Sequence, residues 1–299
     1  MKFGYLAFKG HESELLGEIQ YHGFQKVIQM DRLFLMEANL SLAWSQLKLS
    51  NIEIIKIDSI NQAARALKTE QKLWASYSFH LHRRTQLIQE KLIRVKKKKL
   101  HFLDKIPSEP FGFWCLLSEN EILKSIHTSS ALPLGEVEFE ENKIIPPSRA
   151  YLKLWEVFTL HVAPPQAHQT VLDMGSCPGG WTWVLQSLGC QVLSVDKAPL
   201  APQIAELPRI SFFKGDAFKI KPQDIPKPDW FFSDIICEPQ ALLDMVLLWQ
   251  RAYPQMKFIC TIKYKGSTDY DVTNRFLQIP GSRIIHLYHN KHEVTWIKI

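Results

Sequence analysis

The stretch Val171-Leu-Asp-Met-Gly-Ser-Cys-Pro-Gly-Gly-Trp-Thr182 joins an apolar run to a glycine turn that opens a helix, and it restricts the possible folds more than any other part of the chain. Residues 170–174 predict a buried strand. Gly175 permits the sharp turn that follows, while Gly179 and Gly180 are expected to leave bare backbone beside the positive end of a helix over 178–188. A second apolar run, 191–195, ends at Asp196, 21 residues after Gly175. In a doubly wound fold an acid at that point can bond ribose hydroxyls, so turn and acid together predict a pocket for a nucleotide-like ligand. The dinucleotide fingerprint G-x-G-x-x-G is missing, because Cys177 holds the place of its second glycine; NAD is not the expected ligand.

From residue 148 onward apolar runs alternate with helical patterns. Strand ends are expected near Met174, Val195, Lys214, Ser233 and Ile262, with helices over 181–188 and 239–253, which makes a largely parallel sheet. The runs 283–288 and 293–299 are separated by a few residues only, so they are expected to form an antiparallel hairpin. The fold class is therefore α/β, with a Rossmann-like domain over 146–299 preceded by small α+β modules. Pro146 and Pro147 mark the boundary, and Ser148 is expected to cap a helix running through 161. Ahead of it, 1–60 reads as an α+β module with strands 3–8, 26–30 and 33–37 and a helix over 12–22. The region 61–145 contains a helical pattern at 63–67, an alternating run at 74–82, and a basic stretch of Arg83, Arg84, Lys91, Arg94, Lys96, Lys97, Lys98 and Lys99. Such a stretch suits a surface that follows phosphates; a solvated helix face is the plain alternative.

Composition narrows the setting. The chain has 299 residues and a net charge of +6, which fits a local basic surface. Its 5 cysteines lack a C-x-x-C pair, so neither a zinc site nor a disulfide framework is expected, and a reducing cytosol is the natural compartment. No apolar run approaches the roughly 18 residues of a membrane span, and no membrane partner is expected. His286, His289 and His292 fall in a strand and its turn, His80 and His82 lack cysteine neighbours, and no metal is expected at either place. Trp181 and Trp183 could stack on a base, but helix packing is the simpler role, above all for Trp183.

Four charged residues stand at similar points of the C-terminal half: Lys153 on its leading helix, Asp234 and Lys263 after strands, and Glu293 opening the last strand. In chain order they are Lys-Asp-Lys-Glu. With the turn at 173–183, this order resembles the FtsJ-like ribose 2′-O-methyltransferases, class I enzymes that use S-adenosylmethionine. The resemblance covers 146–299. It is carried also by Pro147-Ser-Arg-Ala-Tyr-Leu-Lys-Leu154, by Asp234 with Glu238-Pro239, and by Leu287-Tyr-His-Asn-Lys-His-Glu-Val-Thr295, and it narrows to a bacterial branch that methylates a cytidine of 23S rRNA.

That resemblance implies S-adenosylmethionine as cofactor, held by Gly175, Cys177, Pro178, Gly179, Gly180, Asp196, Asp216 and Asp234. It implies Lys153, Asp234, Lys263 and Glu293 as catalytic residues, Lys263 as proton acceptor, RNA as partner and no metal. The chemistry agrees, since a ribose hydroxyl is a poor nucleophile and needs a base aligned with the methyl donor. A lysine serves only if its charged form is disfavoured, as a second ammonium nearby would do. The resemblance further implies a ferredoxin-like module over 1–60 and a reduced THUMP-like RNA-binding region over 61–145. Ala150 stands where the family has a cofactor-contacting serine, so it is left out of the site. Methylation of another RNA, or a non-catalytic role in RNA binding or ribosome assembly, are the alternatives; the paired lysines and acids count against the last. The oligomeric state is not legible.

Overall fold

Between Thr170 and Lys298 the apolar runs assemble into one seven-stranded sheet. In the computed structural model, which describes residues 2–94 and 98–299, its strands are β1 (Thr170–Met174), β2 (Gln191–Asp196), β3 (Ile210–Lys214), β4 (Trp230–Ser233), β5 (Lys257–Lys263), β6 (Ser282–Ile285) and β7 (Glu293–Lys298). Their spatial order is β3-β2-β1-β4-β5-β7-β6. The first five are mutually parallel, and β7 runs antiparallel to both β5 and β6. From β1 the chain moves outward through β2 and β3, then returns to lay β4 on the other side of β1. That reversal opens a crevice at the carboxyl ends of β1 and β4, where ligands of open α/β sheets bind.

The helices of this unit are α1 (Tyr151–Glu156), prolonged by a π turn over Val157–His161, α2 (Gly180–Ser187), the short α3 (Pro202–Ala205), α4 (Pro239–Ala252) and α5 (Tyr270–Leu277). They cover both faces. Alternate residues of β4 point opposite ways: Trp230 and Phe232 stack with ring centroids 5.7 Å apart and meet Phe158 and Trp181, whereas Phe231 meets Trp249 and Phe258. Such two-sided burial explains why the strands read as continuous apolar runs.

Two details depart from the sequence reading. Ser148 does not cap α1, which starts at Tyr151 without a side-chain cap. α5, unforeseen, begins where the Asp269 carboxylate accepts the Val272 amide at 2.9 Å. The expected antiparallel hairpin does stand at the end of the sheet, with its second arm, β7, lying between β5 and the edge strand β6. All six residues of β7 are buried while β6 is partly exposed, as an inner strand and an edge strand should be.

The chain divides into two compact units, Met1–Glu138 and Phe139–Ile299. The first holds a five-stranded sheet, in the order Ile28–Met30, Leu33–Met36, Phe3–Ala7, Ser45–Ser50, His127–Thr128, with the helix Glu12–Tyr21. Glu18 of that helix is buried, which pushes its carboxyl up to about 7, and it accepts the amides of Ala43 and Trp44 at 2.8 and 3.0 Å. A four-stranded sheet follows in the order Glu53–Lys56, Glu121–Ser125, Gly112–Ser118, Trp74–Ser76, accompanied by helices Ile60–Glu70 and His82–Gln89. Strands cross the division expected near residue 60: Glu53–Lys56 belongs to the second sheet and His127–Thr128 to the first. The alternating run at 74–82 is a strand only to Ser76, so His80 and His82 share no strand; they bond the Leu117 carbonyl and the Ser78 hydroxyl. In the basic stretch, Arg83 and Arg84 lie on the helix His82–Gln89, whereas Val95, Lys96 and Lys97 fall outside the described residues.

Candidate active site

The glycines of the turn serve the packing of the protein itself. Gly175 and Gly179 take positive φ values of 81° and 112°, which only glycine adopts without strain. A Cβ at Gly175 would stand 2.8 Å from the Ile235 side chain, one at Gly179 2.9 Å from Ile204, and one at Gly180 2.8 Å from Ser148 Oγ. The space that the sequence reading left for a ligand beside Gly179 and Gly180 is thus occupied on that side by protein. Asp196 fastens the same turn: its two carboxylate oxygens accept the amides of Cys177 and Ala198, both at 2.9 Å. Below it Asp173 is fully buried, and burial pushes its carboxyl up to about 7 despite a 2.6 Å bond donated by the Thr182 hydroxyl; the charges of Asp234 and Asp196 push the same way.

A cavity of about 370 Å³ opens at the carboxyl ends of β1 and β4. It brings together Gly175, Cys177, Pro178, Gly180, Asp196, Asp234 and Lys263 from among the expected residues. Gly179, Asp216, Lys153 and Glu293 are not among its lining residues. Its wall also includes Ser148, Ala150, Asp173, Ser176, Trp181, Ile235 and Ile236, which the sequence reading did not place in the site. Asp173 and Ser176 could have been suspected from their places in the turn motif, and Trp181 was weighed only as a stacking residue; Ile235 and Ile236 carry no local signal.

The four charged residues meet. Lys153 Nζ lies 2.6 Å from Glu293 Oε1 and 2.9 Å and 3.1 Å from the two oxygens of Asp234. Lys263 Nζ lies 3.1 Å from Asp234 Oδ1 and donates to the Asp234 backbone carbonyl at 2.5 Å. Lys263 and Glu293 are direct partners in the β5–β7 register, which is why the end of one strand and the start of the other reach the same place. Burial works against the charge of Lys153, but the carboxylates of Asp234 and Glu293 outweigh it and hold this ammonium above the usual lysine range. Lys153 is therefore a fixed cation, and Lys263 is the lysine that faces the cavity.

Glu156, one turn beyond Lys153 on α1, was missed. Its buried carboxylate accepts the Tyr288 amide at 2.7 Å and meets His289 Nδ1 at 2.6 Å. It ties α1 to the β6–β7 loop and so helps to set Lys153 opposite Glu293.

Asp216, expected to bind the cofactor, pairs with Lys197 at 3.0 Å and accepts the Phe218 amide at 3.1 Å; the Lys197 contact holds its carboxyl below the usual range. Trp181 donates to the Ala150 carbonyl and Trp183 packs edge-on against Tyr151, both as parts of the helix packing. His286 and His292 bond the Lys291 carbonyl and the Thr268 hydroxyl. Among the described residues no group of three or more metal-ligating side chains occurs, and no helix is long and apolar enough to cross a membrane.

Comparison with known proteins matches this region. Proteins called ribosomal RNA large subunit methyltransferase M are similar to the chain: that of Halorhodospira halophila is 31% identical over 159 residues, covering 50% of this chain and 46% of the relative. That of Hahella chejuensis is 29% identical over 202 residues, or 60% and 51%, and that of Xylella fastidiosa strain M12 is 28% identical over 206, or 63% and 58%. The chain thus spans about half the length of the curated relatives it matches. Among solved structures, the fibrillarin of Aeropyrum pernix superposes with a TM-score of 0.39 at 14% identity, covering 65% of this chain and 84% of that one, and at that score it adds nothing to the strand order. The family model described as FtsJ-like methyltransferase matches residues 146–276, so that segment is similar to the FtsJ-like methyltransferases.

Proposed function

We propose that this chain transfers a methyl group from S-adenosylmethionine to a ribose 2′-hydroxyl of RNA, a cytidine of 23S rRNA, in the cytosol. The observation that carries the reading is the meeting of Lys153, Asp234, Lys263 and Glu293 beside a cavity walled by the glycine turn and Asp196. The cavity fits the cofactor in size, since small-molecule sites run from about 300 to 1,000 Å³. It also fits in charge: the carboxylates of Asp196 and Asp234 on the cavity wall suit a ligand with net positive charge, as a sulfonium joined to an amino-acid end has.

The bound cofactor supplies an electrophilic methyl group, and the residues of the chain do the rest. Asp196 accepts the ribose hydroxyls of the cofactor with the lone pairs its two amide bonds leave over. Lys263 would take the proton of the substrate ribose hydroxyl through its Nζ, making that oxygen the nucleophile. Asp234 orients Lys263 through its carboxylate and its carbonyl, while Lys153, held charged between two acids, keeps Asp234 in place. The named relatives support an RNA substrate.

Methyl transfer from labelled cofactor to total RNA, with ribose methylation mapped in the presence and absence of the protein, tests the reading. Modification of one 23S cytidine is expected. Modification of another RNA would overturn the substrate, and none at all would favour a non-catalytic role in RNA binding. Lys263→Ala should abolish transfer while leaving cofactor affinity within about threefold, and Lys263→Arg should not rescue it, because a guanidinium stays charged. Near-parental single-turnover rates in either variant would remove Lys263 as the base.

A further inference from the structure

Two hydroxyl side chains line the cavity, Ser148 just ahead of α1 and Ser176 inside the glycine turn. The Oγ of each is buried and has no hydrogen-bond partner among the described residues, and Ser176 as a whole is only 4% exposed. Buried hydroxyls are nearly always bonded, because leaving one unsatisfied is costly. Ser148 Oγ also lies so close over the start of α2 that a Cβ at Gly180 would come within 2.8 Å of it, so the glycine there keeps room for this hydroxyl. Thr182 and Ser194, by contrast, spend their hydroxyls on Asp173 and on each other.

The charges around the cavity decide which part of a ligand the two serines meet. Asp196 and Asp234 line the same cavity and repel a ligand carboxylate. The Ser148 hydroxyl stands beside the amino end of α2, an eight-residue helix whose dipole favours negative charge, and Ser176 lies in the turn that leads into that helix. We propose that Ser148 and Ser176 bind the carboxylate at the amino-acid end of the cofactor, each donating one hydrogen bond. The assignment rests on the cofactor reading above and adds two residues that the sequence did not place in the site; the hydroxyl missing at Ala150 is replaced from a different position.

Calorimetric titration of the full chain with S-adenosylhomocysteine and with 5′-methylthioadenosine tests it, since the second compound keeps the adenosine and sulfur but has no carboxylate. Ser148→Ala and Ser176→Ala should each lower S-adenosylhomocysteine affinity about tenfold, the loss of one hydrogen bond to a charged group, and leave 5′-methylthioadenosine affinity unchanged. Without ligand, each variant should melt no lower than the parent and about 1–3 °C higher if the unbonded hydroxyl is costly. A structural role for either serine would lower the midpoint instead. Unchanged S-adenosylhomocysteine affinity, or equal weakening of both compounds, overturns the assignment. A parent chain that binds neither compound overturns the cofactor reading and this inference with it, whereas a parent that binds both, with unaffected variants, overturns the serines alone.

Discussion

Replacing Lys153 by methionine should expose how the charged cluster is held together. The ammonium sits within 3 Å of Glu293 Oε1 and Asp234 Oδ1, in side chains that are 10%, 8% and 15% exposed. At an effective dielectric constant near 20, each contact is worth about 6 kcal/mol before the cost of desolvation is subtracted. Desolvation cancels most of that gross attraction, but deleting one member of a buried pair strands the other, at a cost of about 3–5 kcal/mol. The two acids are not stranded equally. Asp234 keeps Lys263 at 3.1 Å, whereas the Glu293 carboxylate keeps a 3.3 Å bond from the Lys291 amide. The loss in Lys153→Met therefore falls on Glu293, and adding Glu293→Gln should recover about 2 kcal/mol of it by removing the uncompensated charge. Urea unfolding of the C-terminal unit, read by pulsed hydrogen exchange on peptides from β4, β5 and β7, measures each variant. Single-variant costs that add in the double variant to within about 0.5 kcal/mol would refute the dependence of Glu293 on Lys153.

Other perturbations follow from the same geometry. The Asp173 carboxyl, raised from its ordinary 3.8 to about 7, keeps a proton in the folded chain that the unfolded chain releases, so its contribution to stability is full below pH 3.8 and is lost as pH rises through 7. Asp173→Asn should flatten the stability profile between those limits by up to about 4 kcal/mol, and parallel profiles for parent and variant in pH-dependent urea titrations would contradict this. Asp196→Ala removes the acceptor of the Cys177 and Ala198 amides as well as the expected ribose contact, so S-adenosylhomocysteine affinity should fall by about 1–3 kcal/mol while amide exchange at Cys177 accelerates in the ligand-free chain. Unchanged exchange would mean that the turn holds its shape without this acid.

Much of the C-terminal unit was legible residue by residue. Buried parallel strands are apolar on both faces, so the runs ending at Met174, Asp196, Lys214, Ser233 and Lys263 stood out, and in such sheets strand ends share one crevice. For that reason Asp234, Lys263 and Glu293 could be placed at one crevice before their distances were known, and the family resemblance joined Lys153 of the leading helix to them. The first unit was less legible, because its short antiparallel strands pair across the chain; His127–Thr128 joins Ser45–Ser50, and no local pattern announces a partner so far away. The insertion of β7 beside β5 was hidden for the same reason.

Sequence alone determined where the strands, the glycine turn and the charged residues at strand ends would stand, because periodicity and turn residues act locally. Tertiary structure decided what each one touches. It made Lys153 a fixed cation and turned Lys263 to the cavity, tied Asp216 to Lys197, filled the space beside Gly179 and Gly180 with Ile204 and Ser148, and left two serine hydroxyls without partners at the cavity wall. Those outcomes depend on contacts between residues as far apart as Lys153 and Glu293, where burial and charge are set by neighbours that the local sequence does not contain.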